Sequence, residues 1–153
     1  MHRSIEPLSA DHDRAGFDCG SEPLNRFLQQ VARQHSEKGL SRTFVMVNET
    51  AGIPKPVLGY FSLSATEADT EHLPPAIARK LPRKIPAARM GRLAVSKAMQ
   101  GQGLGSILLI EALRRTAHAA DELGICGLFV DAKDDRAAGF YRRFGFESLP
   151  EQP

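Results

Sequence analysis

The sequence has no tryptophan, two tyrosines and two cysteines among 153 residues. Aromatic residues make up 7% of the chain, and none is interleaved in its most basic run, Arg79 to Arg92, so base stacking is not indicated. Cys19 and Cys126 lie far apart and lack metal-ligand spacing, so they read as free thiols in a reducing cytoplasm. The histidines at 2, 12, 35, 72 and 118 form no ligand pattern, and no metal is expected. No apolar run approaches the ~20 residues of a membrane span. The opening "MHRSIEPLSADHDR" has no apolar signal-peptide core. A cytoplasmic protein without a membrane partner is the expectation. Nor does one sign of charge dominate: 20 Lys and Arg face 18 Asp and Glu, a net +2. Whole-chain charge therefore announces no nucleic-acid partner, and its distribution matters more.

What is present suits a single globule. The chain is 42% hydrophobic and 25% charged, and residues 1–153 are expected to form one domain. "RSIEPL" reads as a first strand. Ser21 is placed to N-cap a helix with Pro23 in its first turn. Leu24, Phe27, Leu28 and Val31 follow at helical spacing, to about Lys38, with Gly39 as C-cap. "RTFVMVN" and "VLGYFSLSATEA" are β-rich and joined by "ETAGIPKP", which predicts a hairpin. Residues 69 to 87, rich in proline, predict a loop with a short helix. "ARMGRLAV" reads as a strand, and Gly103 to about Gly124 as a helix. "CGLFVDA" is continuously apolar, as in a central strand. Asp134 and Asp135 suit a helix start, Gly145 its end, and "FESLP" a last strand. The order is mixed α/β.

"MQGQGLGSILL", Met99 to Leu109, sets glycines at 101, 103 and 105 directly before a run of helix formers. A glycine turn opening a helix leaves N–H groups aimed at one spot, which the helix dipole makes attractive to anions. A phosphate-bearing ligand is the natural candidate. A P-loop would need Lys-Ser/Thr after the last glycine, but Ser106 and Ile107 follow. A dinucleotide fingerprint would need glycine where Ser106 stands, and an acidic residue ending a second strand. What remains is Gln100-x-x-Gly103-x-Gly105 after the apolar "RLAV".

That hexapeptide resembles the acetyl-CoA loop of the GNAT acetyltransferases. The strand–loop–helix–strand–helix order from Arg89 to Phe146 agrees, and "FYRRFGF", Phe140 to Phe146, is similar to the family's Phe-Tyr-x-x-x-Gly-Phe run. "FDCGSEPLNRFL", Phe17 to Leu28, is not general to the family. It resembles the toxin branch of bacterial toxin–antitoxin pairs, whose members acetylate aminoacyl-tRNA, as do "GRLAV" and "LFVDAKDD". The resemblance implies a GNAT fold: a mixed central sheet with two splayed parallel strands, flanked by helices. It implies acetyl-CoA as cosubstrate, with the backbone of Leu93, Ala94 and Val95 pairing with the pantetheine arm and polarising the thioester. Gln100, Gly101, Gln102, Gly103, Leu104, Gly105 and Ser106 would wrap the pyrophosphate. The side chains at 101, 103 and 105 would be absent because the phosphates need that space.

Tyr141 is the candidate general acid. A phenol of pKa about 10 stays protonated at neutral pH and can donate to a departing thiolate. Packing beside Phe140, Phe144 and Phe146 is the competing role; the family match at "FY" favours the acid. No general base is obvious. Glu67, Asp69 and Asp131 are available, each also readable as a solvated or structural carboxylate. A lysine amine, pKa about 10.4, needs such a base, whereas an α-amine near 7.7–8.0, lowered further by esterification, does not. The site thus suits an aminoacyl ester.

The run "RKLPRKIPAARMGR" holds Arg79, Lys80, Arg83, Lys84, Arg89 and Arg92 with no acidic residue. Arg33, Lys38 and Arg42 form a looser group. These read either as a solvated face or as a grip on the tRNA backbone through phosphate and shape contacts. The favoured reading is a toxin that acetylates the α-amine of aminoacyl-tRNA and arrests translation. The resemblance further implies a ribbon-helix-helix antitoxin partner and a homodimer. Acetylation of a protein or small-molecule amine is the enzymatic alternative, and a non-catalytic acyl-CoA-binding regulator the other. Tyr141 argues against the regulator.

Overall fold

A computed structural model describes residues 2–132, 134–147 and 149. Five strands form one sheet in the order β1 (Arg3–Pro7), β3 (Arg42–Asn48), β5 (Gly59–Asp69), β6 (Lys84–Val95), β7 (Leu128–Val130). All neighbours are antiparallel except β6 and β7. A two-residue β2 (His12–Asp13) pairs with β4 (Lys55–Pro56) inside the expected hairpin connection. The helices are α1 (Glu22–Arg26), α2 (Ala32–Glu37), α3 (Pro75–Ala78), α4 (Leu104–Leu123) and α5 (Asp135–Arg142). This is the mixed α/β architecture the sequence predicts.

Strand alternation sorts the core into two layers. Val45, Val47, Tyr60 and Ala94 face one side and pack on Phe17, Phe27, Leu28 and Ala32. Met46, Phe61 and Met90 face the other and pack on Leu104, Leu108, Leu109 and Ala112 of α4 and on Tyr141 of α5. The buried stripe of α4 runs through Leu104, Leu108, Ala112 and Thr116 at i, i+4 spacing. Each fully buried leucine contributes roughly 1.5–3 kcal/mol of apolar transfer.

Several local expectations change. The helix from Glu22 is interrupted by a π-helical turn, Phe27–Val31, before α2. Ser21 stands at the N-cap, but its side chain caps nothing. β6 starts at Lys84, four residues before "ARMGRLAV", and shortens the proline-rich loop accordingly. Pro86 is tolerated because its carbonyl, not an N–H, serves there: it accepts from Cys126 N at 2.9 Å. β7 is the edge of the sheet among the described residues, not a central strand. Leu128 and Val130 pack on the α4 layer, so burial of that face rather than pairing on both edges accounts for them. In "FESLP", Phe146 and Glu147 have no regular structure, and Ser148 and Pro150 lie outside the described residues. Cys19 and Cys126 are both free.

Candidate active site

β6 and β7 run together only from Ala88 to Met90 and from Leu128 to Val130. Beyond that, β7 stops while β6 continues to Val95, still paired with β5 on its other side. At this point Ser62 pairs with Arg92 and Leu63 with Met90, which leaves Gly91 as the extra residue of a β-bulge. A bulge bends its strand and reverses the phase of the side chains after it. Met90 faces the α4 layer; after the bulge Leu93 and Val95 do so, and Ala94 faces the other layer. Arg92 turns with Ala94 and sets its guanidinium 3.7 Å from the centre of the Phe27 ring. The backbone of residues 91–95 thus has an edge with no strand partner on the β7 side among the described residues.

The glycine loop follows directly. Gly101 and Gly103 sit at φ +81° and +82°, a left-handed backbone that favours glycine. A Cβ on either would meet nothing within 4 Å, so the backbone angle is the first reason for glycine there. Gly105 is helical, and a Cβ on it would lie 3.8 Å from Phe140 Cζ and 3.9 Å from Val95 Cγ2. Those are ordinary contacts, and they show where the end of β6, the start of α4 and α5 converge. The helix starts without a side-chain cap, and its first N–H groups, at Leu104, Gly105 and Ser106, have no acceptor among the described residues. Unpaired amides, open space beside the loop and an unpaired strand edge fit a ligand that carries phosphates at one end and amides along its arm. Acetyl-CoA has both.

The side chain of Gln100 points elsewhere. Its Nε2 donates to Val95 O and to Cys19 O, each at 2.9 Å. Cys19 belongs to "FDCGSEPLNRFL", whose first residues form an Asx turn docked on the end of β6 and whose remainder enters α1. Asp18 Oδ1 accepts from Gly20 N at 2.9 Å, Lys97 N donates to Asp18 O at 2.9 Å, and Gln29 Nε2 donates to Phe17 O at 3.0 Å. The sequence pattern marked this segment as distinctive without showing that it braces the loop. Asp-x-Gly and a lone Asn25 inside an apolar helix stripe were the available signals.

Tyr141 is 9% exposed, edge-on to Phe140 and Phe146 with ring centres 5.5 and 5.7 Å away. Its hydroxyl has no hydrogen-bond partner among the described residues, yet it is not one of the sealed unpaired polar atoms there, Ser4 Oγ and Thr43 Oγ1. Burial, with the charge of Asp131 second, pushes the phenol above its usual pKa of 10.0. It therefore holds its proton throughout the neutral range. Asp134 caps α5 by accepting from Ala137 N at 2.8 Å, which fixes the helix that carries Tyr141. Of the carboxylates, Asp131 pairs with Arg89 at 3.3 Å. Asp69 accepts from Glu71 N and pairs with Arg83 and Lys84 at 3.5 and 3.4 Å. Glu67 is exposed, opposite Pro86. Among the described residues no group of His, Cys, Asp or Glu is arranged to hold a metal ion.

The six cations of the basic run do not stand together as free charges. Arg83, Lys84 and Arg89 have carboxylate partners, and Arg83 reaches Glu71 as well, at 3.4 Å. Arg92 lies on Phe27. Arg79 and Lys80 are exposed beside the tip of the β5–β6 hairpin, with no carboxylate within 4.0 Å among the described residues.

A family model of the acetyltransferase (GNAT) domain matches residues 39–148, and the chain belongs to that family. It is 33% identical over 146 residues to a tRNA-acetylating toxin of Mycobacterium tuberculosis, covering 95% of this chain and 85% of the relative. It is 30% identical over 161 residues to a probable toxin TacT of Sinorhizobium fredii, covering 99% and 87%. Among solved structures it is similar to AtaT complexed with acetyl-methionyl-tRNAfMet, with a TM-score of 0.90, 36% identity and coverage of 99% and 91%. It is also similar to a mutant AtaT toxin bound to the C-terminus of the antitoxin AtaR and acetyl-CoA, with a TM-score of 0.81, 35% identity and coverage of 98% and 88%.

Proposed function

We propose that this chain transfers the acetyl group of acetyl-CoA to the α-amine of aminoacyl-tRNA and so blocks translation. What carries the reading is the convergence of the unpaired β6 edge, the glycine loop and α5 at Gly105, in a chain 33% identical to a tRNA-acetylating toxin over 95% of its length. Acetyl-CoA supplies an acetyl group activated as a thioester. The N–H groups of Leu104, Gly105 and Ser106 hold its pyrophosphate, and the backbone of Leu93 to Val95 aligns its arm and polarises the carbonyl. Tyr141 Oη keeps its proton until the sulfur departs, then donates it, and the proton the amine sheds as the amide forms passes through solvent and restores the phenol. No base is assigned, because the α-amine of an aminoacyl ester is substantially neutral at physiological pH.

Arg79 and Lys80 are the free cations that meet the tRNA backbone, with the paired residues Arg83, Lys84 and Arg89 contributing less. The protein acts in the cytoplasm as a homodimer, one domain per chain. A ribbon-helix-helix antitoxin restrains it, its C-terminal segment covering the coenzyme groove. Incubation with labelled acetyl-CoA and total charged tRNA tests the reading. Label should enter the aminoacyl-tRNA fraction and be released by mild alkali. Label in protein or small amines, with tRNA unlabelled, would replace the tRNA reading by the other acetyltransferase reading.

A further inference from the structure

Asn25 lies in α1, flanked by Leu24, Phe27 and Leu28, and is 8% exposed. Burying an amide costs desolvation unless its polar atoms are paired, so a buried amide at this place requires a reason. Both of its polar atoms are used. Oδ1 accepts from Cys19 N at 2.8 Å, and Nδ2 donates to Asp18 Oδ1 at 2.9 Å. The dipeptide held in this way offers its two carbonyls to the coenzyme loop. Asp18 O accepts from Lys97 N at 2.9 Å, and Cys19 O from Gln100 Nε2 at 2.9 Å. The same Nε2 holds Val95 O, at the end of the unpaired strand edge. Gly20, at φ +91°, closes the turn, and a Cβ there would press on Lys97 Cε at 3.3 Å.

We propose that Asn25 is a positioning residue for the coenzyme site. Through Asp18, Cys19 and Gln100 it fixes the last carbonyl of β6 and the turn from which the glycine loop departs. The amides of that loop reach a ligand only if their origin is fixed, and a displacement of about 1 Å is costly in sites of this kind. The backbone bond from Ser96 N to Leu58 O, 2.9 Å, anchors the turn on the β5 side; the Asn25 path anchors it on the α1 side.

The inference rests on the proposed coenzyme site, so the test reads coenzyme binding directly. Calorimetric titration with coenzyme A, which is not turned over, should show binding by the wild-type protein. Asn25→Leu keeps the branching and heavy-atom count of the side chain and removes both bonds, and should weaken binding about tenfold. The KM for acetyl-CoA should rise in parallel, with the KM for aminoacyl-tRNA unchanged. Gln100→Met should act in the same direction. The double variant should be no weaker than the weaker single one, because both act on one path. As comparator, Thr116→Ala removes a buried hydroxyl that donates to Ala112 O at 2.8 Å in the far half of α4. It should lower Tm without changing affinity. If folded Asn25→Leu binds coenzyme A as the wild type does, or if the two effects add, the positioning role is overturned and the acetyltransferase reading stands. If Asn25→Leu does not fold, Gln100→Met decides alone, and unchanged affinity overturns the proposal. A wild-type protein that binds no coenzyme A overturns both readings.

Discussion

Tyr60 and Tyr141 are both buried phenols, and they differ in what their hydroxyls do. Tyr60 Oη donates to Leu24 O at 2.6 Å, which ties β5 to α1. Tyr141 Oη has no such partner among the described residues. Tyr141→Phe should therefore lower kcat by about 10²–10⁴ while coenzyme affinity stays unchanged, whereas Tyr60→Phe should cost about 1 kcal/mol of stability and leave kcat alone. Steady-state kinetics and thermal melts separate the two. A titratable cluster far from the site gives a pH prediction. Ser9 N donates to Nδ1 of buried His12, and His12 Nε2 meets Glu6 Oε1 at 2.7 Å, with Lys55 Nζ 3.5 Å away. The His12 hydrogen bond, followed by the Lys55 charge, holds Glu6 below its usual 4.5. A depressed folded value means this stabilisation is present above pH 4.5 and drains as pH falls through the lower, folded pKa. Glu6→Gln should flatten the acid limb of the Tm–pH curve; an unchanged limb would remove Glu6 from acid sensitivity. At this scale the sequence was legible where chemistry is local. Tyr141 sits in a short motif, so it could be singled out as a candidate from neighbouring residues alone. Asn25 could not, because its partners belong to a turn whose docking on β6 depends on the whole sheet.

Glycines mark helix limits within a few residues, so Gly103 and Gly124 bracketed α4 in the sequence as they do in the fold, both with positive φ. Gly91, alone inside a strand pattern, was a sign of a bulge, but not of its register. The bulge is defined by the register with β5, a non-local property that periodicity does not carry. Pro86 likewise argued against a strand, and only the outward use of its carbonyl shows why β6 begins at Lys84. At the element scale the prediction concerns the loop. Gly103→Glu forces a side chain onto a left-handed backbone, at about 1–2 kcal/mol, and brings a negative charge to the α4 N-terminus. Calorimetry should show coenzyme binding lost and the fold retained by circular dichroism. Unchanged affinity would remove the loop from the coenzyme site.

Across the whole molecule, charge is distributed differently from the order of the sequence. The run Arg79 to Arg92 contains no acid, yet Asp69, Glu71 and the distant Asp131 reach three of its cations. Exposed pairs of this kind are weak, on the order of 0–1 kcal/mol, but they reduce the net field that RNA meets. Reversing Arg79 and Lys80 together to glutamate should lower the salt slope of tRNA binding by about 1–2, more than reversing Arg83 and Lys84 does. Filter binding across a salt series reads this, and equal slopes would make the hairpin tip a solvated face. The unpaired edge of β6 has a colloidal consequence as well. Its N–H and C=O groups are as available to an extended segment of a neighbouring chain as to a pantetheine arm, and such edges template aggregation. Coenzyme bound there would shield the edge and also stabilise the folded state by mass action. Turbidity on slow heating should begin at a lower temperature in coenzyme-free protein than in protein saturated with coenzyme A, so the metabolic supply of acetyl-CoA would set the protein's solubility together with its activity.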